Sequence, residues 1–319
     1  MTPFAIAGIQ MHIAAVHSNV DHMLHRLDVL MARFPWTQMV VFSELAPFGP
    51  LDRYAQPEEN DTLAQFCEAA HRHKVWLIPG SMFLKAPDGR IFNTSVVINP
   101  AGEIIRRYAK MFPFRPYEVD IAAGTEFCVF DVPEVGRFGL SICYDLWFPE
   151  VTRTLTSMGA EVILNPVLAH FVDRPADLAI ARASGAMFQS YIFHINGLLA
   201  GGNGYSQVID PMGQVLHDGN TQDELIPVEV DFGLVRRQRA RGIKNMGQPL
   251  KSFRDSTQTF GVYGPNFDRS YLDSLGPLER PGRANDPAAA AAPVHPPAIP
   301  EIRVVAEPEA RRAALAGDQ

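Results

Sequence analysis

The 319-residue chain predicts one layered α/β domain, with mixed sheets covered by helices on their outer faces. Three observations point there. Short apolar runs rich in β-branched residues alternate with stripes at helical spacing. Some neighbouring runs are joined by tight turns and others by whole helices, and no segment repeats at a fixed period.

In chain order, FAIAGIQM (Phe4 to Met11) reads as a strand, because apolar residues run almost unbroken over a strand's length. From Asn19 to Phe34 the residues Val20, Met23, Leu24, Leu27 and Leu30 form one helical stripe, and QMVVFSE is a strand ending at Glu44. A second helix spans Asp61 to His73 and leads into the apolar run VWLIPGSMF. RIFNTSVVINP and EIIRRYA read as an antiparallel hairpin turning on Asn99, Pro100, Ala101 and Gly102, and FCVFDV with RFGLSIC repeats the arrangement around Pro133 to Gly136. A helix from Pro149 to Met158 precedes the buried strand EVILNP, and another spans Pro175 to Ser190. YIFHIN, YSQVIDP, QVLHDG and LIPVEVDF are the remaining strands. The domain is expected over residues 1–275. From 276 to 319 the chain turns to Pro and Ala with scattered charge, and is expected to be a flexible tail with at most a short helix from Glu307 to Leu315.

Composition excludes several function classes. At 47% hydrophobic and 20% charged the chain can bury a sizeable core. A formal charge of -7 gives no general attraction to phosphates or anionic lipid, so nucleic acid is not an expected partner. Cys67, Cys128 and Cys143 are too few and too irregular for a disulfide framework or a zinc site, which fits a reducing compartment. The opening MTPFAIAGIQM lacks a basic n-region, and no apolar run reaches a membrane span, so a cytoplasmic protein without a membrane partner is expected. His71 and His73 are two apart on a helix and face different ways, so no metal site is expected.

Three segments place a reactive side chain at or just past the end of an apolar strand: VVFSELAPFGP, RRYAKMFPFRPYE and GLSICYDLWFPE. Cys143 closes one strand and Pro149 opens a helix, so the turn between them can present the thiol beside backbone amides. Thiolate is the nucleophile, so a base must take the proton. Glu44, in an apolar turn that would raise its pKa by desolvation, suits that task. Lys110 and the Tyr144 amide could hold an oxyanion. Each residue alone also has an ordinary reading: a core cysteine, a helix-capping glutamate, a solvated lysine. Spacing alone does not bring the three together.

The ordered set of glutamate in FSELAPFG, lysine in RRYAKMFPF and cysteine in GLSICYDLWFPEVTRTLTSMGAEVILNP resembles the nitrilase superfamily of carbon-nitrogen hydrolases. The resemblance runs from about residue 4 to 265. It implies a four-layer αββα sandwich with Glu44 as general base, Lys110 as oxyanion-stabilising residue and Cys143 as the nucleophile that forms a thioester. Glu118 in FPFRPYE stands where formamidases and aliphatic amidases carry a second active-site glutamate; outside that context it reads as a surface carboxylate paired with Arg115. Tyr144 and Asp145 follow the cysteine where nitrilases usually carry Trp and Glu, which favours amides or N-carbamoyl compounds over nitriles. The helix after EVILNP reads ARASGAMFQS and departs from the Arg-Ala-x-Glu-Asn pattern of many relatives. The chemistry needs no cofactor, and the resemblance implies a homo-oligomer, a dimer or higher. Phe48, Tyr117, Trp147 and Phe171 are candidate substrate-pocket residues, with Phe112 and Phe114 nearby in sequence. The rival expectations are a nitrile hydrolase using the same residues, and a catalytically silent binding subunit.

Overall fold

A computed structural model describes residues 3–279. The expected short helix at Glu307 to Leu315, and nearly all of the expected tail, lie outside the described residues. Two mixed sheets face each other. In the first, the strand Phe4–Gln10 runs parallel to Met39–Phe42 and antiparallel to Glu224–Val230. Trp76–Ile78 continues the parallel set, and the hairpin Ile91–Ile98 with Ile104–Ala109 completes its far side. In the second, Gly136–Leu140, Val162–Val167 and Tyr191–Asn196 are parallel neighbours. Cys128–Val132 flanks them antiparallel on one side and Gln207–Ile209 on the other.

Buried side chains sort into layers. Ile6, Val41 and Val97 of the first sheet meet Phe138, Leu164 and Phe193 of the second in one apolar cluster between the sheets. The outer face of the first sheet, through Ile9, Val40 and Leu77, packs on Leu27 and Leu30 of the helix Val20–Arg33 and on Phe66 and Ala69 of the helix Asp61–His73. The outer face of the second sheet, through Ile163 and Ile192, packs on Val151 and Leu155 of the helix Pro149–Ser157 and on Ala181 of the helix Arg174–Met187. The order is helix, sheet, sheet, helix, the four-layer sandwich that the resemblance implies. Strands buried on both faces account for the near-continuous apolar runs in the sequence.

Two local features add to the sequence reading. The apolar run VWLIPGSMF holds two strands, Trp76–Ile78 and Met82–Lys85, separated at Pro79, Gly80 and Ser81. Gly80 has φ +75°, and a Cβ there would lie 1.8 Å from the Ser43 carbonyl oxygen. The break lets the chain pass directly behind Glu44, a close approach only glycine permits. The helix Phe232–Arg241 carries no clear apolar stripe and was not expected. It buries Phe232 and Val235, and Arg236 from it grips Glu161 at 2.7 Å.

Candidate active site

The strand Met39–Phe42 points its C-terminal end toward the seam between the sheets, and the chain then turns through Glu44 and Leu45, the latter at φ +52°. Ser81 Oγ accepts from the Leu45 amide at 3.0 Å, and the Glu44 amide donates to the Val167 carbonyl of the opposite sheet at 3.2 Å. Glu44 is therefore fixed by both sheets. Lys110 directly follows the strand Ile104–Ala109, and its amide donates to the Asn93 carbonyl at 2.9 Å. Cys143 begins a short 3-10 turn, Cys143–Trp147, immediately after the strand Gly136–Leu140 and Ser141–Ile142.

Cys143 holds φ +46°, a region that costs a non-glycine residue about 1–3 kcal/mol. Asp145 over-determines that conformation. Its carboxylate accepts from the Ile142 amide at 2.9 Å, the Phe112 amide at 2.8 Å and the Tyr108 hydroxyl at 2.7 Å. One buried carboxylate thereby ties the cysteine turn to the strand and loop that carry Lys110. Burial raises its pKa to about 6 despite those donors.

The reactive groups converge. Lys110 Nζ donates to Glu44 Oε1 at 2.8 Å and to Glu118 Oε2 at 3.0 Å. Asn93 Nδ2 also donates to Glu44 Oε1, at 2.8 Å, and the Leu168 amide donates to Glu44 Oε2 at 3.0 Å. Glu118 accepts as well from the Phe114 amide. Burial raises the Glu44 pKa, with Lys110 opposing the rise. Burial alone would lower the Lys110 pKa, but Glu44, Cys143 and Glu118 together hold it well above the ordinary lysine value. Burial and then Glu44 push the Cys143 thiol well up, while Lys110 and the Leu168 amide pull the other way. Burial thus holds the thiol protonated, beside a carboxylate and an ammonium bonded to each other at 2.8 Å.

Glu44, Lys110, Glu118 and Cys143 line a single cavity of about 500 Å³ together with Tyr144, Tyr117, Trp147 and Phe114. All four expected polar residues therefore share one opening, and Tyr117 and Trp147 stand on its wall. Two expected pocket residues do not. Phe48 packs against the apolar cluster between the first sheet and its helices, because its turn directs the ring inward. Phe171 is 64% exposed and leans on His170 at 4.1 Å between ring centroids, outside the lining. Phe112 stacks on Phe148 at 3.6 Å, away from the cavity. The Arg115–Glu118 surface pair is also corrected: Arg115 donates to backbone carbonyls of Glu118, Val119 and Ile121, leaving the Glu118 carboxylate for Lys110.

Sequence reasoning missed Asn93, the Leu168 amide and Asp177. Asn93 is an uncharged polar side chain inside a β-rich run, FNTSVV, fully buried, and that combination was its signal. Asp177 lies on the helix Arg174–Met187 and lines the cavity. Its Oδ1 accepts from Trp147 Nε1 at 3.1 Å and its Oδ2 from Arg174. Among the described residues no group of three or more His, Cys, Asp or Glu side chains is placed to hold a metal ion.

The family model for carbon-nitrogen hydrolases matches residues 5–240. The chain belongs to the carbon-nitrogen hydrolase family, in its amidase branch. It is 29% identical to the 2-oxoglutaramate amidase of Bacillus subtilis over 57% of this chain and 72% of that protein. It is 30% identical to an (R)-stereoselective amidase from a Pseudomonas species over 64% of this chain and 76% of the relative. Among solved structures, Nit3 of Saccharomyces cerevisiae, a member of branch 10 of the nitrilase superfamily, superposes with a TM-score of 0.68 at 24% identity. The match covers 75% of this chain and 94% of Nit3, and it carries the fold. No helix among the described residues is long and apolar enough to cross a membrane.

Proposed function

We propose that this enzyme hydrolyses the carbon-nitrogen bond of small linear amides or N-carbamoyl compounds in two covalent halves, with Cys143 as the nucleophile. The observation that carries this reading is the meeting of Cys143, Glu44, Lys110 and Glu118 in one cavity. Glu44 takes the thiol proton as sulfur attacks the carbonyl carbon. The oxyanion that forms is met by the Tyr144 amide and by Lys110, which has one N–H beyond the two donated to Glu44 and Glu118. Glu44 then delivers its proton to the departing nitrogen as the C–N bond breaks, leaving a thioester. Water attacks that thioester while giving a proton to Glu44, and the carbon-sulfur bond breaks as the proton returns to sulfur. Glu118 stays bound to Lys110 and the Phe114 amide, and orients the substrate amide or the attacking water.

The two relatives described above are amidases by name, which supports amides over nitriles. The reading assigns the hydrolase to residues 1–275 and the rest of the chain to a tail. Three free cysteines fit a cytoplasmic location. Exposed aromatic residues at Phe253, Phe260, Tyr263 and Tyr271 fit a homo-oligomer of two or more chains. The test is an ammonia-release screen over aliphatic amides, aromatic amides, N-carbamoyl amino acids and nitriles, with Cys143→Ala as the blank. Amide turnover lost in that variant is expected. Turnover confined to nitriles, or surviving in Cys143→Ala, overturns the reading.

A further inference from the structure

We propose that the cavity accepts uncharged amides and rejects amides whose acyl tail carries a carboxylate, and that Asp177 sets this selectivity by keeping Arg174 occupied. The inference rests on the amidase reading above and goes further, to the charge of the substrate.

The lining holds four carboxyl groups, Glu44, Glu118, Asp173 and Asp177, against one ammonium, Lys110. Lys110 donates two N–H groups to Glu44 and Glu118, and its third is the one assigned to the oxyanion above. Asp173 precedes the helix Arg174–Met187 without capping it through its side chain, and it faces the cavity. A further cation, Arg174, follows Asp173 in the chain and is only 2% exposed. Its two terminal nitrogens are spent on Asp177 Oδ2, on His194 Nε2 at 2.7 Å and on the Tyr205 carbonyl, while its Nε is buried without a partner among the described residues. The arrangement is held from behind, since His194 Nδ1 contacts Asn165 Oδ1 at 2.7 Å and Asn165 Nδ2 donates to Ser141 Oγ at 2.9 Å. Trp147 closes it from the front through its bond to Asp177 Oδ1.

A carboxylate entering this cavity therefore loses its water shell and meets four carboxyl groups, of which Glu44 and Glu118 already share Lys110 and Asp177 already holds Arg174, so that no lysine or arginine of the described lining is left to pair with it. Discrimination built on an unpaired, desolvated charge is the effective way to exclude a ligand of the same shape. An uncharged tail meets Tyr117, Tyr144 and Trp147 with no such penalty. On this reading the chain departs from its 2-oxoglutaramate amidase relative, whose named substrate bears a carboxylate.

The experiment compares kcat/KM for glutaramide and for glutaramate, a pair that differs only in carboxamide against carboxylate. Assays run at one fixed pH of 8 for both substrates and all variants. Wild type is expected to favour glutaramide by at least about tenfold, equivalent to 1.4 kcal/mol. Asp177→Asn, which leaves Arg174 without its carboxylate, is expected to bring the ratio to unity or invert it. Asp173→Asn, at a helix start without a side-chain cap bond, is expected to cut the ratio about threefold and keeps the test available if Asp177→Asn does not fold. Equal or better turnover of glutaramate by wild type overturns the proposal, as does an unchanged ratio in Asp173→Asn and in folded Asp177→Asn. Loss of all amide turnover, neutral amides included, instead sinks the amidase reading beneath it.

Discussion

Asn93 offers a sharp test of how Glu44, the proposed base, is held. Its side chain is fully buried, and Nδ2 donates to Glu44 Oε1 at 2.8 Å, the same oxygen that Lys110 contacts. Replacement by alanine removes one of three donors on an ionised carboxylate and leaves Lys110 and the Leu168 amide in place. A hydrogen bond to a charged group is worth about 1.5–3 kcal/mol. If most of that bond orients Glu44 toward the thiol, kcat/KM falls about tenfold to hundredfold, since each factor of ten costs about 1.4 kcal/mol. The bond also favours the ionised form, so its loss moves the Glu44 pKa further in the direction burial already sends it, which is upward. In the proposed mechanism Glu44 acts ionised, so activity is expected to be lost as pH falls through its pKa. The acid limb of the kcat/KM profile should therefore lie above the ordinary carboxylate range in wild type and higher still in Asn93→Ala. The assay is a pH–rate profile from pH 4 to 9 on one neutral amide, with urea denaturation to show that the variant is folded. A lower rate with an unmoved acid limb would refute the reasoning, because Asn93 would then support the fold without touching the base.

Two further outcomes follow from the same geometry. Gly80→Ala forces a Cβ against the Ser43 carbonyl at φ +75°, and should cost about 3 kcal/mol or more in urea denaturation while lowering turnover through displacement of Glu44. The Asp177 carboxyl is held down to about 2 by His194 and Arg174 against the opposing effect of burial. Its folded pKa lies below the unfolded value of 3.8, so its contribution is full above pH 4 and lost as pH falls toward 2. Wild type should lose on the order of 2 kcal/mol over that interval that Asp177→Asn does not, a difference read from denaturation curves at pH 4 and pH 2.

The residues that were legible in the sequence share a physical trait: each follows an apolar strand that could not continue without burying a charge or a thiol. Glu44, Lys110 and Cys143 were found in this way, and the residues around them suggested their partnership before any coordinates did. The strands and the two helices of the first half were legible for a related reason, since double burial writes continuous apolar runs and single burial writes stripes. What escaped depended on tertiary approach. Asn93 and Asp177 reach the site from a hairpin and from a helix of the other sheet, and the Leu168 contribution is a backbone amide with no side-chain signature. Aromatic count alone could not tell Tyr117 and Trp147, which line the cavity, from Phe48 and Phe171, which do not. The helix Phe232–Arg241 is anchored chiefly by Phe232, Val235 and ion pairing, too few apolar contacts to leave a stripe.

The covalent role proposed for Cys143 can be tested directly by acid-quenching the enzyme within its first turnovers on a good amide substrate, digesting it and weighing its peptides. The account predicts a mass gain equal to the acyl group on the peptide containing Cys143, absent from Cys143→Ala. Steady amide hydrolysis with the acyl group on another residue would contradict it.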